Sequence, residues 1–250
     1  MNKISAVIIA KDEEKIIKRC LDSLRWCDEI IVVINTDSSD QTCEIAKKYT
    51  SKVFIQDWLG YGPQKNFAIS KSTYDWILSI DADEVVSGEL SKEMQAVLDN
   101  PIYDGYYINF DTFVGQKQIK HGGLQNDWHL RLFKKSRGQF GGQFGGDVHE
   151  SVSIDNSGKL IHHIQHFSYK DWSDYRAKVL KYSKIEAENY FKNNKKLNLK
   201  DWIKPILRLI NIFLFKRGFM DGITGIKHAY LLSYYIWKRN QYILDMINTK

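Results

Sequence analysis

Four short runs of branched apolar residues, each followed by a helix-like segment, confine this chain to an open α/β sheet. Residues 4–10, 29–34, 53–56 and 75–80 carry these runs. They are continuous rather than alternating, as expected of strands buried on both faces of a parallel sheet. Between the first two, Ile16, Ile17, Cys20, Leu21 and Leu24 fall at helical spacing, with Asp12 placed as an N-cap. Residues 42–49 and 64–72 read as helices, so strands and helices alternate as βαβ units. Beyond Asp83 the pattern changes. Residues 91–98 read as a helix, and residues 103–114 and 129–134 alternate like antiparallel strands. Residues 138–146 hold Gly-Gln-Phe-Gly twice, a loop suited to covering a site. From Tyr175 the chain reads as helical, with breaks expected at Pro205 and Gly218. The expected fold class is α/β, an open, mostly parallel, twisted sheet with flanking helices and a C-terminal helical extension. The boundary is drawn between a catalytic domain, 1–170, and a basic aromatic extension, 171–250.

Charge separates the same two parts. The net charge of +6 hides 17 basic against 7 acidic residues from Lys170 onward, which leaves the preceding part with 19 basic and 23 acidic. A basic C-terminal part points to anionic partners. Cys20, Cys27 and Cys43 lack the paired spacing of a zinc site and read as free thiols in a reducing compartment. The first apolar run is too short for a signal peptide, and no apolar stretch reaches membrane-spanning length. A cytoplasmic protein is expected.

The fourth run ends in Asp81-Ala82-Asp83-Glu84. Ligands of open α/β sheets bind beyond the carboxyl ends of the strands, where Asp81 and Asp83 stand. Two hard carboxylate ligands two residues apart suit Mg²⁺ or Mn²⁺ bridging a diphosphate. A solvated turn capping the next helix is the plain alternative, and Glu84 either orients the pair or begins that helix. An ATPase needs a phosphate-cradling Gly-x-x-x-x-Gly-Lys-Ser/Thr loop, and the chain has none. Arg131 alternates with Leu130 and Leu132 and points away from their apolar face, which suits either a guanidinium clamp on the diphosphate or a plain surface charge.

Several segments together resemble glycosyltransferase family 2, of the GT-A fold. The run Ala6-Val7-Ile8-Ile9-Ala10-Lys11-Asp12-Glu13 is similar to the family's opening strand and acidic loop. Residues 35–42, Asn-Thr-Asp-Ser-Ser-Asp-Gln-Thr, resemble its second loop, with Asn35 and Thr36 in place of two acids. Gly62-Pro63-Gln64-Lys65-Asn66 resembles the segment that contacts the nucleotide, and Asp81-Ala82-Asp83 resembles the metal motif. The resemblance implies an inverting enzyme that takes a UDP-sugar and a divalent metal. It assigns Ala10, Lys11, Glu13, Asn35, Asp37, Gln64, Lys65 and Asp81 to the nucleotide, and Asp83 and Asp81 to the metal. Further segments, His121-Gly122-Gly123, residues 129–133, Val148-His149-Glu150 and residues 216–222, resemble the family's bacterial lipopolysaccharide-core glucosyltransferases.

Such a reaction needs a base for the acceptor hydroxyl. The family's Glu-Asp pair is absent from the second half, and Glu150 is the leading candidate, with Asp127 and Asp147 behind it. His149 is placed as a metal or phosphate ligand. His121, His162, His163 and His166 show no ligand spacing and read as structural. Residues 203–216 and 226–239 mix apolar, aromatic and basic side chains, as helices lying in a membrane interface do, the plain alternative being a stripe that packs on the catalytic domain. The expected partners are the donor, a saccharide or glycolipid acceptor and the anionic inner face of the plasma membrane. No motif for nucleic acid is present. The rival functions are a sugar-nucleotide nucleotidyltransferase, whose glycine-rich phosphate loop is missing, and a non-catalytic carbohydrate- or lipid-binding module.

Overall fold

The computed structural model describes residues 2–141, 152–193 and 197–248. The chain begins β1 (Ile4–Ala10), α1 (Ile17–Ser23), β2 (Glu29–Asn35), α2 (Thr42–Ala46), β3 (Val53–Gln56), α3 (Tyr61–Ser70) and β4 (Trp76–Ser79). These strands pair in the order β3-β2-β1-β4, all parallel. Successive β1 residues face opposite ways, so Ala6 and Ile8 enter one apolar cluster while Val7 joins Ile31 and Ile77 in another. Burial on both faces explains why the runs are continuous in sequence.

The sheet continues with β5 (Glu84–Val86), β6 (Gly105–Val114), β7 (Lys117–Ile119), β8 (Trp128–Lys134), β9 (Ser157–Lys159) and β10 (Ile164–Tyr169), and α4 (Gly88–Asp99) follows β5. Strand β8 lies between β4 and β6, antiparallel to both, and β10 pairs antiparallel with β5. The result is the expected α/β architecture, mixed where the later strands join.

Two local expectations are corrected. Helix α1 starts at Ile17, and no side chain caps it. Asp12 instead takes a left-handed φ of 55° and accepts the backbone N–H of Ser39 at 2.8 Å. It therefore ties the first loop to the second. Glu84 belongs to β5 and does not open a helix. The Oγ of Ser87 caps α4 by accepting the N–H of Leu90 at 3.1 Å.

The chain forms two compact units, Met1–Phe110 with Asp127–His166, and Asp111–Asn126 with Phe167–Lys250. The second holds α5 (Trp172–Lys192), α6 (Leu199–Ile210) and α7 (Ile223–Asn248), with a π-helical turn at Asn211–Phe215 and a 3₁₀ turn at Gly218–Asp221. The chain does turn near Gly218. Arg217 is left-handed at φ 57°, and a Cβ on Gly218 would lie 2.7 Å from the Ile212 carbonyl oxygen. Pro205 does not break α6. A proline there removes the N–H that would reach the Asp201 carbonyl. The side-chain amide of Asn240 on α7 donates to that buried carbonyl at 2.7 Å and replaces the missing bond. Among the described residues no helix is long and apolar enough to cross a membrane.

Candidate active site

Strand β4 delivers Asp81 just past its carboxyl end, and the backbone then turns back on itself. The Glu84 N–H donates to the Asp81 carbonyl at 3.0 Å, while the Glu84 carboxylate accepts the Asp81 N–H at 2.9 Å. This closed turn fixes both acids. Glu84 is 0% exposed and is also paired with the Arg131 guanidinium.

Arg131 comes from β8, the antiparallel neighbour of β4. It lies 2.8 Å from one oxygen of Asp81, and Lys65 from α3 lies 2.9 Å from the other. Burial alone would raise the Asp81 carboxyl, but Arg131 and Lys65 overcome it and hold the group far below the usual carboxylate range. Burial pushes the Glu84 carboxyl up to about 7 against the pull of Arg131, and the charge of Asp81 adds to the rise. The Arg131 Nε is buried without a hydrogen-bond partner. The ring of Phe110 lies beneath its guanidinium at 5.2 Å.

Asp83 faces a different partner. The Nε2 of His166 is 3.3 Å from its carboxylate. His166 sits on β10 directly opposite Glu84 of β5 in the strand register. Burial disfavours the charged imidazole, yet Asp83, Glu84 and Asp81 outweigh it and raise His166 above its ordinary value. Ligand atoms of Asp83, Glu84 and His166 all lie within 4.8 Å of one another. Two carboxylates and an imidazole form a donor set that fits Mn²⁺, and the oxygens alone suit Mg²⁺. The Glu84 oxygens are each engaged by Arg131 and the Asp81 N–H, so Asp83 and His166 are the pair best placed to hold a metal.

Asp127 belongs to the same neighbourhood. It contacts Nε2 of His129 at 2.8 Å, and this bond, against burial, lowers its carboxyl with help from His166 and Arg131. Phe110 unites the group, stacking on His129 at 4.7 Å and meeting His166 edge-on at 5.2 Å. Glu150, Asp147 and His149 lie outside the described residues.

The proposed nucleotide residues gather at the carboxyl ends of the parallel strands. Ala10 ends β1, Asn35 ends β2 and is 7% exposed, and Lys11 forms an ion pair with Asp37 across the two loops. The N–H of Glu13 donates to Thr42 Oγ1 at 2.7 Å. Gln64 is buried at the start of α3 and accepts the Leu59 N–H at 3.3 Å. Asn66 grips Phe140 by a pair of bonds, its amide oxygen accepting the Phe140 N–H and its amide nitrogen donating to the Phe140 carbonyl. That anchors the start of the glycine-rich segment to α3.

Sequence reasoning missed His166. Its position opposite Glu84 depends on a strand pairing across some eighty residues, which spacing along the chain does not reveal. The one local signal is a histidine inside an alternating strand, residues 164–169.

The chain is similar to known proteins along most of its length. The family model for glycosyl transferase family 2 matches residues 5–154. An uncharacterised glycosyltransferase of Rickettsia conorii is 30% identical over 93% of this chain and 86% of its own length. The lipopolysaccharide core biosynthesis glycosyltransferase LpsC of Rhizobium meliloti is 25% identical over 95% of this chain and 93% of its own. A solved structure of S. aureus TarS 1–349 in complex with UDP-GlcNAc is similar at a TM-score of 0.48 and 16% identity, covering 96% of this chain and 91% of that one. With a family match over more than half its length, and a relative of that identity along nearly all of it, this chain belongs to glycosyltransferase family 2.

Proposed function

We propose that the chain moves a sugar from a UDP-sugar to a glycolipid acceptor by a single, inverting displacement. The observation that carries this reading is the pairing of Asp83 with His166 beside an Asp81 held by two cations, at the carboxyl end of a central parallel strand. Asp83 and His166 would hold a divalent ion, which would supply charge neutralisation for the departing diphosphate. The protein's own part is positional. Lys65 and Arg131 keep Asp81 ionised and fixed at the carboxyl end of β4, each holding one of its oxygens, and Arg131 joins Asp81 to Glu84 so that the turn does not open. Lys11, Asp37, Asn35 and Gln64 shape the nucleotide cleft.

As the bond between the sugar's C1 and the phosphate oxygen breaks, the acceptor oxygen bonds to C1 from the opposite face. Its proton passes to a carboxylate, which we assign to Glu150, with Asp127 as the second candidate. The relative LpsC, named for lipopolysaccharide core biosynthesis, supports an acceptor of that class. Such an acceptor lies at the inner face of the plasma membrane, where the basic second unit would meet anionic lipid.

The test supplies a UDP-sugar panel with bacterial core oligosaccharide lipid and reads the product's anomeric configuration by NMR. A product inverted relative to its donor is expected, and a retained configuration would overturn the single displacement. Glu150→Gln is expected to abolish transfer. If Asp127→Asn abolishes it instead, the base is Asp127.

A further inference from the structure

Helix α6 is amphipathic in an unusual sense, because its apolar stripe is turned outward. Ile203, Ile206, Leu207 and Ile210 are all exposed, and the narrow buried side is built from Asp201 and Pro205. The exposed series continues through Leu214, Phe215 (79% exposed), Phe219 and Met220 to Ile223 and Ile226 at the start of α7. So much contiguous apolar surface is costly in water and marks an interaction face.

Charge identifies what covers it. Between residues 199 and 230 the basic residues are Lys200, Lys204, Arg208, Lys216, Arg217 and Lys227, all exposed. The only acids there, Asp201 and Asp221, have side chains no more than 6% exposed. Asp201 closes the capping box of α6, and Asp221 accepts the N–H groups of Lys120 and His121. The charge presented outward by this segment is therefore wholly positive. Further along α7, Tyr230, Tyr234 and Trp237 stack in series, with Lys238 beside the last two. Apolar side chains bordered by cations, with an aromatic row following, match the depth profile of a bilayer interface.

We propose that residues 199–226 form a docking face that lies in the interface of an anionic lipid bilayer, with Leu207 and Phe215 inserted among the acyl chains. The proposal rests on the reading that the acceptor is membrane-borne, and it adds which surface meets the lipid. A second copy of the chain is a poorer occupant, since two such faces would set cation against cation.

The test is sedimentation of the full chain with phosphatidylcholine vesicles, with and without phosphatidylglycerol. The wild type is expected to bind the anionic vesicles at least about tenfold more tightly, with binding that weakens as salt rises. Leu207→Glu/Phe215→Glu is expected to lose at least about tenfold in binding, with an unchanged melting temperature and unchanged release of UDP from the donor. Binding by this variant equal to wild type would overturn the proposal. So would lipid-free dimers of the wild type that the variant abolishes, which would make the face a self-interface. Asp83→Ala is expected to bind vesicles like wild type, so failure of sugar transfer and failure of docking are read separately.

Discussion

The imidazole of His166 lies 3.3 Å from the carboxylate of Asp83, brought there because β10 pairs with β5 and sets His166 opposite Glu84. A metal held by Asp83 and His166 would draw on both residues at once. His166→Ala is expected to weaken Mn²⁺ binding in the presence of UDP by at least about tenfold, the lower end of what even outer-shell changes cost. Titration of Mn²⁺ followed by electron paramagnetic resonance checks this, and His166→Ala with wild-type affinity would remove the residue from the site.

Lys65, Asp81, Arg131 and Glu84 form one ion-pair network in which Asp81 is a third exposed and the other three are buried. Removing Arg131 leaves the fully buried Glu84 without its cation and Asp81 with Lys65 alone. Arg131→Met is expected to cost about 3–5 kcal/mol of stability, measured by urea denaturation. Adding Glu84→Gln to that variant is expected to recover part of the loss, because fewer buried charges remain unpaired.

Glu29 predicts the acid limb of stability. Its carboxylate accepts from Ser5, Lys52 and Thr73, and although burial opposes them, these bonds lower the group to about 2. The unfolded value is about 4.3. A carboxyl depressed in the folded state stabilises fully above its unfolded value and loses that contribution as pH falls through the folded one. Glu29→Gln is therefore expected to melt lower than wild type at pH 7, with the gap closing as pH falls from about 4.3 to about 2. A gap that persisted to the acid end would contradict this.

Pro205 and Asn240 form a compensating pair. Asn240→Ala leaves the Asp201 carbonyl buried without a donor, and a loss of about 1–3 kcal/mol is expected. In a Pro205→Ala background the restored backbone N–H bonds that carbonyl, so the same Asn240→Ala change is expected to cost much less. Thermal melts of the four proteins complete the cycle, and equal costs in both backgrounds would rule out the compensation.

The contrast between these groups shows how far sequence reasoning reaches. Strands β1 to β4 and the placement of Asp81 and Asp83 beyond β4 follow from continuous apolar runs, because burial on both faces writes itself directly into composition. Pairings between distant strands leave no such trace. Glu84 read equally as an orienting acid or a helix start, and only its pairing with Arg131 shows which. Pro205 read as a break because the amide that relieves it comes from another helix. Asp12 read as a cap because its partner, Ser39, lies across a loop.

The central claim is that Asp83 and His166 form the metal-dependent end of a sugar-diphosphate site. It is tested most directly by release of UDP from a UDP-sugar, assayed with Mn²⁺, with chelator, and with Mn²⁺ restored. Wild type is expected to release UDP only with the metal, and Asp83→Ala is expected to lose at least about a hundredfold in rate while melting normally. Release that continued undiminished in chelator, or in Asp83→Ala, would contradict the account.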